Sequence, residues 1–562
     1  MKKSIPFLLG FILFGMVLSA SYAQNQRGPG TDNLPVDETT LFAGSGVCAR
    51  CHEGLLENGI DVSPVTLWRS TMMANSAKDP LWRAKVAREG AEIPNLAGAI
   101  EEKCIKCHSP VLYKQSVFDN PSEFSYSIAD LVGNPLARDG DTCTICHQIL
   151  PDNFGLKDSF SGDFMIWPGD PEPGPALRKI YGPYPEPFEN PMINSSNYTP
   201  TLAYPNNDNY TINDAEHCAT CHNLFTNYVD KHENLSVDKF PEQTPYYEWK
   251  NSDYGDPPSG SELQTCQGCH MPKSLNKIKI STVAPAMTSE REPFWYHHFV
   301  GGNYFMPKVF QDNPVTLGVT ATAAHFNTTI TNTEDLLKKQ TVELSAVYAM
   351  ADGTLNVDVT LKNLAGHKLP TGIPLRRVWI HLKVLMDNDV IFESGDWDED
   401  TGEIIGIDDN YEPHYNIIDD QNQVQIYEGV MMDDWGDVTR LLLRAKDFIK
   451  DNRLPPVGFS TVGDDDKYIK IIGDAKHDSD FNFNGSGADT VHYQIPIGAS
   501  SGPFTVTIEV CYQTVTPGEV VHLNSSAGIQ EIELFNGLYT AANKAPVILA
   551  SWEELKDLGD KN

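Results

Sequence analysis

Ten of the eleven cysteines of this 562-residue chain fall in five copies of one pattern, Cys-x-x-Cys-His, between residues 48 and 270. The copies are Cys48, Cys51 and His52; Cys104, Cys107 and His108; Cys143, Cys146 and His147; Cys218, Cys221 and His222; and Cys266, Cys269 and His270. Two thiols three positions apart can each add to a vinyl group of one porphyrin, and the imidazole that follows then reaches the iron as proximal ligand. Disulfide frameworks, zinc ribbons and thioredoxin-like dithiols also use Cys-x-x-Cys, but none requires His after the second Cys in every copy. The pattern predicts five covalently bound haem c groups and redox chemistry. The eleventh cysteine, Cys511, has no partner and is expected to be a buried or half-buried free thiol.

A haem with only its proximal His keeps an open sixth position, so the remaining histidines decide between an electron carrier and a catalyst. Eleven are left once the five proximal residues are removed. His367 lies in Ala365-Gly366-His367-Lys368-Leu369-Pro370-Thr371-Gly372, a loop between two expected strands that Pro370 and two glycines stiffen, and it is read as a distal ligand reaching into the N-terminal half. His297 and His298 sit in an aromatic, glycine-bounded run after the last motif, with His297 slightly ahead. His325 on a short helix and His217 beside Cys218 complete the candidates. No histidine lies between His52 and His108, so Met73, with Met72 next to it, is the local sulfur candidate for the first haem; two core methionines on a helix are the competing reading. His381, on the polar face of a strand, reads as a surface imidazole.

These side chains need elements to hold them. Asp79-Pro80 signals the start of a helix reaching about Glu92, with Asp as N-cap and Pro in the first turn. The Pro-rich stretch 166 to 210 is expected as an ordered loop or surface arm. Beyond about residue 340 the pattern changes to two-residue alternation, as in Leu355, Val357, Val359 and Leu361, in Val378, Ile380, Leu382 and Val384, and in Phe504, Val506, Ile508 and Val510; this predicts strands with one buried face. Asp352-Gly353 marks a hairpin turn, and one helix is expected around Val438 to Lys450. The fold class is accordingly multidomain: an α/irregular haem-binding domain followed by an all-β sandwich of immunoglobulin-like type, without the paired cysteines of true immunoglobulins. The expected boundaries are 1–23 signal peptide, 24–40 flexible segment, 41–310 pentahaem domain, 311–340 helical linker and 341–550 β-sandwich. Two acidic runs in the β half, Asp396-x-Asp398-x-Asp400 and Asp480-x-Asn482-x-Asn484-Gly485, resemble incomplete Ca2+ loops.

Lys2 and Lys3 precede a twelve-residue apolar core, Phe7 to Leu18, and Ser21-Tyr22-Ala23. This is the form of a signal peptide cleaved near Ala23, with a core too short to span a bilayer. Periplasmic or extracellular placement follows, with no membrane span. Asp and Glu outnumber Lys and Arg by 76 to 42, a net charge of −34; this argues against nucleic acid as a partner and for redox proteins with basic docking surfaces.

Several runs carry a family resemblance: Trp68 to Ala74 followed by Asp79-Pro80, Cys143 to Gln148, Phe240 to Tyr246 with Glu248-Trp249, Cys266 to Pro272, and Gly366 to Gly372. Together they resemble the multihaem cytochromes c represented by the tetrahaem electron acceptor of hydroxylamine oxidoreductase, with a C-terminal β domain added. The resemblance implies haem packing and supports His367 and His297 as iron ligands. The expected function is an exported pentahaem electron carrier, not an enzyme. Two alternatives stay open: a nitrite- or hydroxylamine-type reductase with one open haem, although no Cys-x-x-Cys-Lys motif occurs, and a polymerising extracellular cytochrome that forms an oligomer or filament.

Overall fold

The computed structural model describes residues 33–167, 178–184, 192, 198–201, 210–283, 288–407, 411–498, 503–526 and 528–556. The expected signal peptide and most of the Pro-rich stretch lie outside these residues.

Each Cys-x-x-Cys-His motif sits on a short helix or its end: α1 (Ser45–His52), α3 (Ala97–His108), α4 (Cys143–Cys146), α5 (Ala215–His222) and α7 (Cys266–His270). Positions i, i+3 and i+4 share one helix face, so local backbone geometry alone points both thiols and the imidazole of a motif the same way. Between the first two motif helices runs α2 (Pro80–Glu92), where the Asp79 carboxylate accepts the amides of Leu81 (2.9 Å) and Trp82 (3.4 Å) and Pro80 occupies the first turn. The expected start and end of this helix are thus met. The remaining helix of this half that matters for the site is α6 (Pro245–Lys250).

The C-terminal half is rich in strands: β1 (Val342–Ala351), β2 (Thr354–Asn363), β3 (Arg377–Met386), β4 (Asp389–Ser394), β5 (Ile417–Ile418), β6 (Ile426–Met432), β7 (Asp447–Asp451), β8 (Ala488–Pro496), β9 (Phe504–Gln513) and β10 (Val547–Lys556). They form two sheets, of order β5-β8-β2-β1 and β7-β6-β3-β9-β10, with β4 also paired to β3. Asp352 and Gly353 both have positive φ and close the β1–β2 hairpin. The alternating residues of β2 and β8 and those of β3 and β9 meet in one core cluster, which is why a single residue of register slip in any of these strands would turn its apolar face outward. Cys511 on β9 is a buried free thiol.

One expected element is absent. Residues 438–450 form turns and the start of β7, not a helix. The amides of Leu442 and Leu443 are taken by the Glu89 carboxylate of α2, at 2.7 and 3.2 Å, and the Leu443 carbonyl accepts from Val229. Backbone groups that a helix would pair internally are therefore committed to the other half of the chain.

The halves are joined by packing as well. Leu81 and Ala84 of α2 share a cluster with Phe305, Phe310 and Phe326 and with Ile532 and Phe535 of the helix Gln530–Ala541, which returns from the β region. Lys85 of α2 also forms a buried ion pair with Glu519, 2.8 Å. The segment between the halves is thus helical and part of a core. No helix among the described residues is long and apolar enough to cross a membrane.

On β8, His492 lies opposite Asp358 of β2 and bridges it (Nδ1 to Oδ1, 2.7 Å) to Asp480 (Nε2 to Oδ2, 3.0 Å). Partial burial pulls the imidazole pKa down, but the hydrogen bonds and charges of the two carboxylates together outweigh this and raise it. A raised folded-state pKa stabilises the fold fully below the unfolded value, about 6.5, and the gain is lost as pH rises through the folded value. Thermal unfolding of the native chain and of His492→Gln should therefore differ at pH 6 and converge toward pH 9; a difference constant across that range would contradict this.

Candidate functional site

All ten motif cysteines and all five motif histidines line one continuous cavity of about 1480 Å³. Single small-molecule sites typically enclose roughly 300–1,000 Å³, so this space suits more than one bound group. Its walls come from both halves of the chain, including Met72, Met73, His217, His297 and the loop 364–373. The motif cysteines are all free thiols, as thioether attachment requires.

The imidazoles are oriented through their inner nitrogens. His52 Nδ1 donates to the Ile280 carbonyl, His147 Nδ1 to that of Tyr181 and His270 Nδ1 to that of Val300, each at 2.6 Å, and His108 Nδ1 to that of Ser76 at 3.2 Å. A carbonyl can only accept, so each ring carries its proton on Nδ1 and keeps the Nε2 lone pair free, the arrangement expected of a metal ligand held by a second set of contacts. Burial lowers the pKa of all five motif imidazoles, His108 and His222 to about 4, which keeps them neutral and able to bind metal.

Two further histidines face motif histidines. The His270 and His367 ring centres are 6.3 Å apart with planes 10° from parallel, and those of His147 and His297 are 6.4 Å apart at 19°. Two imidazole nitrogens on opposite sides of one metal ion, each about 2.0–2.1 Å from it, place their ring centres about 6.4 Å apart. A direct stack looks different: Trp82 lies on His108 with centres 4.4 Å apart. His297 and His367 also donate from Nδ1 to backbone carbonyls, of Trp295 and Lys368, both at 3.0 Å, so they too present Nε2.

The other candidates separate clearly. His217 lines the cavity and its buried Nδ1 has no hydrogen-bond partner. His298 and His325 stand outside the cavity lining. In an extended run adjacent side chains point to opposite sides, and with His297 turned inward His298 packs on Tyr296. His325 is occupied as a helix cap: its Nδ1 accepts the Thr322 amide at 3.2 Å and its own amide donates to Thr322 Oγ1, opening α8 (Ala323–Gln340). His381 is held between Glu393 and Glu509 on the sheet surface. Nothing in the two acidic runs supports Ca2+: Asp398 Oδ1 accepts from the amides of Asp400 and Thr401 and from the Thr401 hydroxyl, Asp480 binds His492, and Asn482 Oδ1 accepts from Gly487.

Packing gives the motifs a spatial order. Helices α1 and α4 of the first and third motifs pack together, as do α5 and α7 of the fourth and fifth. Gly162 lies against Cys107 and donates to the Thr220 carbonyl, which sets the second motif beside the fourth.

Residues 47–148, which hold the first three motifs, match the family described as cytochrome c554 and c-prime. Over that segment the chain is similar to cytochromes c of this family. The match and the five motifs support haem c as the group these residues would hold. Among solved structures it is similar to a penta-haem cytochrome c552 from Thermochromatium tepidum, at 14% identity and a TM-score of 0.49, over 92% of this chain and 100% of that one. A comparison with curated proteins finds no match.

The loop carrying His367 is pinned from both halves of the chain. Asn363 Nδ2 donates to the His367 carbonyl at 2.7 Å, and Leu369 and Leu454 exchange backbone hydrogen bonds. From the haem-binding half, Glu248 Oε2 accepts the Lys368 amide (3.1 Å) and the Thr371 hydroxyl (2.7 Å), and Tyr254 donates to the Leu364 carbonyl (2.7 Å). Glu248 Oε1 pairs with Arg453 (2.9 Å), Arg453 with Asp451 (2.8 Å), and Asp451 with Lys368 (2.7 Å), all four side chains buried. Sequence reading did not find Glu248 as a functional residue; the available signal was a carboxylate inside the aromatic run Tyr246-Tyr247-Glu248-Trp249.

Gly366 approaches Trp249 and Tyr254 so closely that a Cβ there would lie 3.3 Å from each. Gly366→Ala should lower stability by about 1 kcal/mol through overpacking, read as a lower guanidinium midpoint at unchanged m-value. An unchanged midpoint would show that the contact yields freely.

Proposed function

We propose that the chain is an exported electron carrier holding five haem c groups, with His297 and His367 as the distal ligands opposite His147 and His270. The observation that carries this is the single cavity lined by all fifteen motif residues. Bound haem supplies iron that takes up and releases one electron. The chain's own part is to anchor, orient and separate: paired cysteines fix each group, backbone carbonyls set the tautomer of four of the proximal imidazoles and both distal ones, and burial keeps those imidazoles neutral.

The spatial order of the motifs, the first beside the third and the fourth beside both the second and the fifth, supports relay between neighbours. His217 and Met73, both facing the cavity, are the further ligand candidates. We read the two sheets over one core as an immunoglobulin-like sandwich that closes the cavity from one side. The strong negative charge supports basic redox proteins as partners, and the charged, apolar and small-residue segments at the N-terminus support export to the periplasm or beyond.

A pyridine haemochrome assay on the purified holoprotein should return five haems per chain, and His297→Ala should convert one equivalent of low-spin ferric haem to high-spin in low-temperature EPR. Fewer than five haems, or an unchanged spectrum in the variant, would contradict the proposal.

A further inference from the structure

We propose that Glu248 is a positioning residue for His367: a carboxylate of the haem-binding half that holds the distal-ligand loop of the β region against His270. This deepens the reading of His367 as an iron ligand and rests on it.

The geometry is that of a clamp. Glu248 lies on α6 and is fully buried. Its Oε2 takes the amide of Lys368, the residue directly after His367, and the hydroxyl of Thr371 three residues on. Two donors of one short loop therefore converge on one oxygen. The other oxygen faces Arg453, so the carboxylate is gripped from the loop and from the segment that follows β7. A buried charge is stable only when paired and hydrogen-bonded, and this one is balanced within the network: Glu248 and Asp451 against Lys368 and Arg453. Burial alone would raise the Asp451 carboxyl; the Arg453 and Lys368 charges overcome it and hold it at about 2. Ligand loops must be held to within roughly 0.5 Å to keep a metal bond in place. The same carboxylate that fixes the loop also joins the two halves, so ligation at the fifth motif and docking of the β region are one event.

The role differs from simple structural support in what it should change. Loss of the clamp frees His367 from its iron while the other haems keep their ligands. The test uses the full-length holoprotein, low-temperature EPR of the oxidised state, and titration with free imidazole as a replacement ligand. His367→Ala is the reference: one equivalent of high-spin ferric haem, returned to low-spin by imidazole. Glu248→Ala is expected to give the same high-spin signal and the same rescue. Glu248→Gln, which keeps an acceptor for Lys368 and Thr371, should restore at least half of the low-spin signal. Should Glu248→Ala not fold, Thr371→Val decides: it removes one donor of the clamp and should raise the apparent imidazole affinity of one haem at least threefold. Glu428→Gln, which removes the partner of buried Lys450 in the same region, should leave the spectrum unchanged.

High-spin haem in His367→Ala together with native spectra and native imidazole affinity in the Glu248 and Thr371 variants would overturn the proposal alone. An all-low-spin His367→Ala would instead overturn the ligand reading beneath it. A high-spin signal in Glu428→Gln equal to that of Glu248→Ala would reduce Glu248 to general support and overturn the positioning role.

Discussion

Four buried charges hold the two halves of this chain in register over their shared cavity. Glu248 and Asp451 carry the negative charges, Lys368 and Arg453 the positive ones, and every link between them is between 2.7 and 2.9 Å. Such a network is stable only complete, because removing one member strands another in a low dielectric. That requirement explains why a loop of the β region can be trusted to deliver His367 to within 6.3 Å of His270. The β region is therefore part of the site and not an appendage: its loop 364–373 and also Tyr512 and Thr514 line the cavity.

The same logic runs at smaller scale around four of the five motifs. Backbone carbonyls from distant segments, Ile280 for His52 and Val300 for His270, set the imidazole tautomers. Glu89 uses the amides of Leu442 and Leu443, and Lys85 pairs with Glu519. Helix α2, between the first two motif helices, is thus tied to the C-terminal half at several points by polar groups that would each be costly to leave unpaired. A chain whose interior is organised around large cofactors has fewer side-chain contacts between helices to rely on, and these buried polar ties take over part of that work.

What could be read from sequence alone follows the range of the interaction. The five motifs were legible because covalent chemistry imposes their spacing, and α2 because Asp79 and Pro80 act within one turn. The β1–β2 hairpin was legible through Asp352-Gly353, and the loop of His367 through its glycines and proline. The missing helix at 438–450 was not, because its amides are captured by Glu89 more than 350 residues earlier. His325 was offered as a ligand, yet its ring is used by the local cap at Thr322. The acidic runs suggested calcium, but several of their oxygens serve their own turns and His492. Which of His297 and His298 turns inward, and which motif each distal histidine faces, are matters of tertiary packing that spacing does not encode.

The most direct test of the account is the coordination of the fifth-motif iron in a crystal structure of the oxidised holoprotein. His270 Nε2 and His367 Nε2 are expected on opposite sides of that iron, each at about 2.0–2.1 Å, with the Glu248 carboxylate on the Lys368 amide. An iron bound by His270 and by water or any other side chain, with His367 turned away, would contradict it.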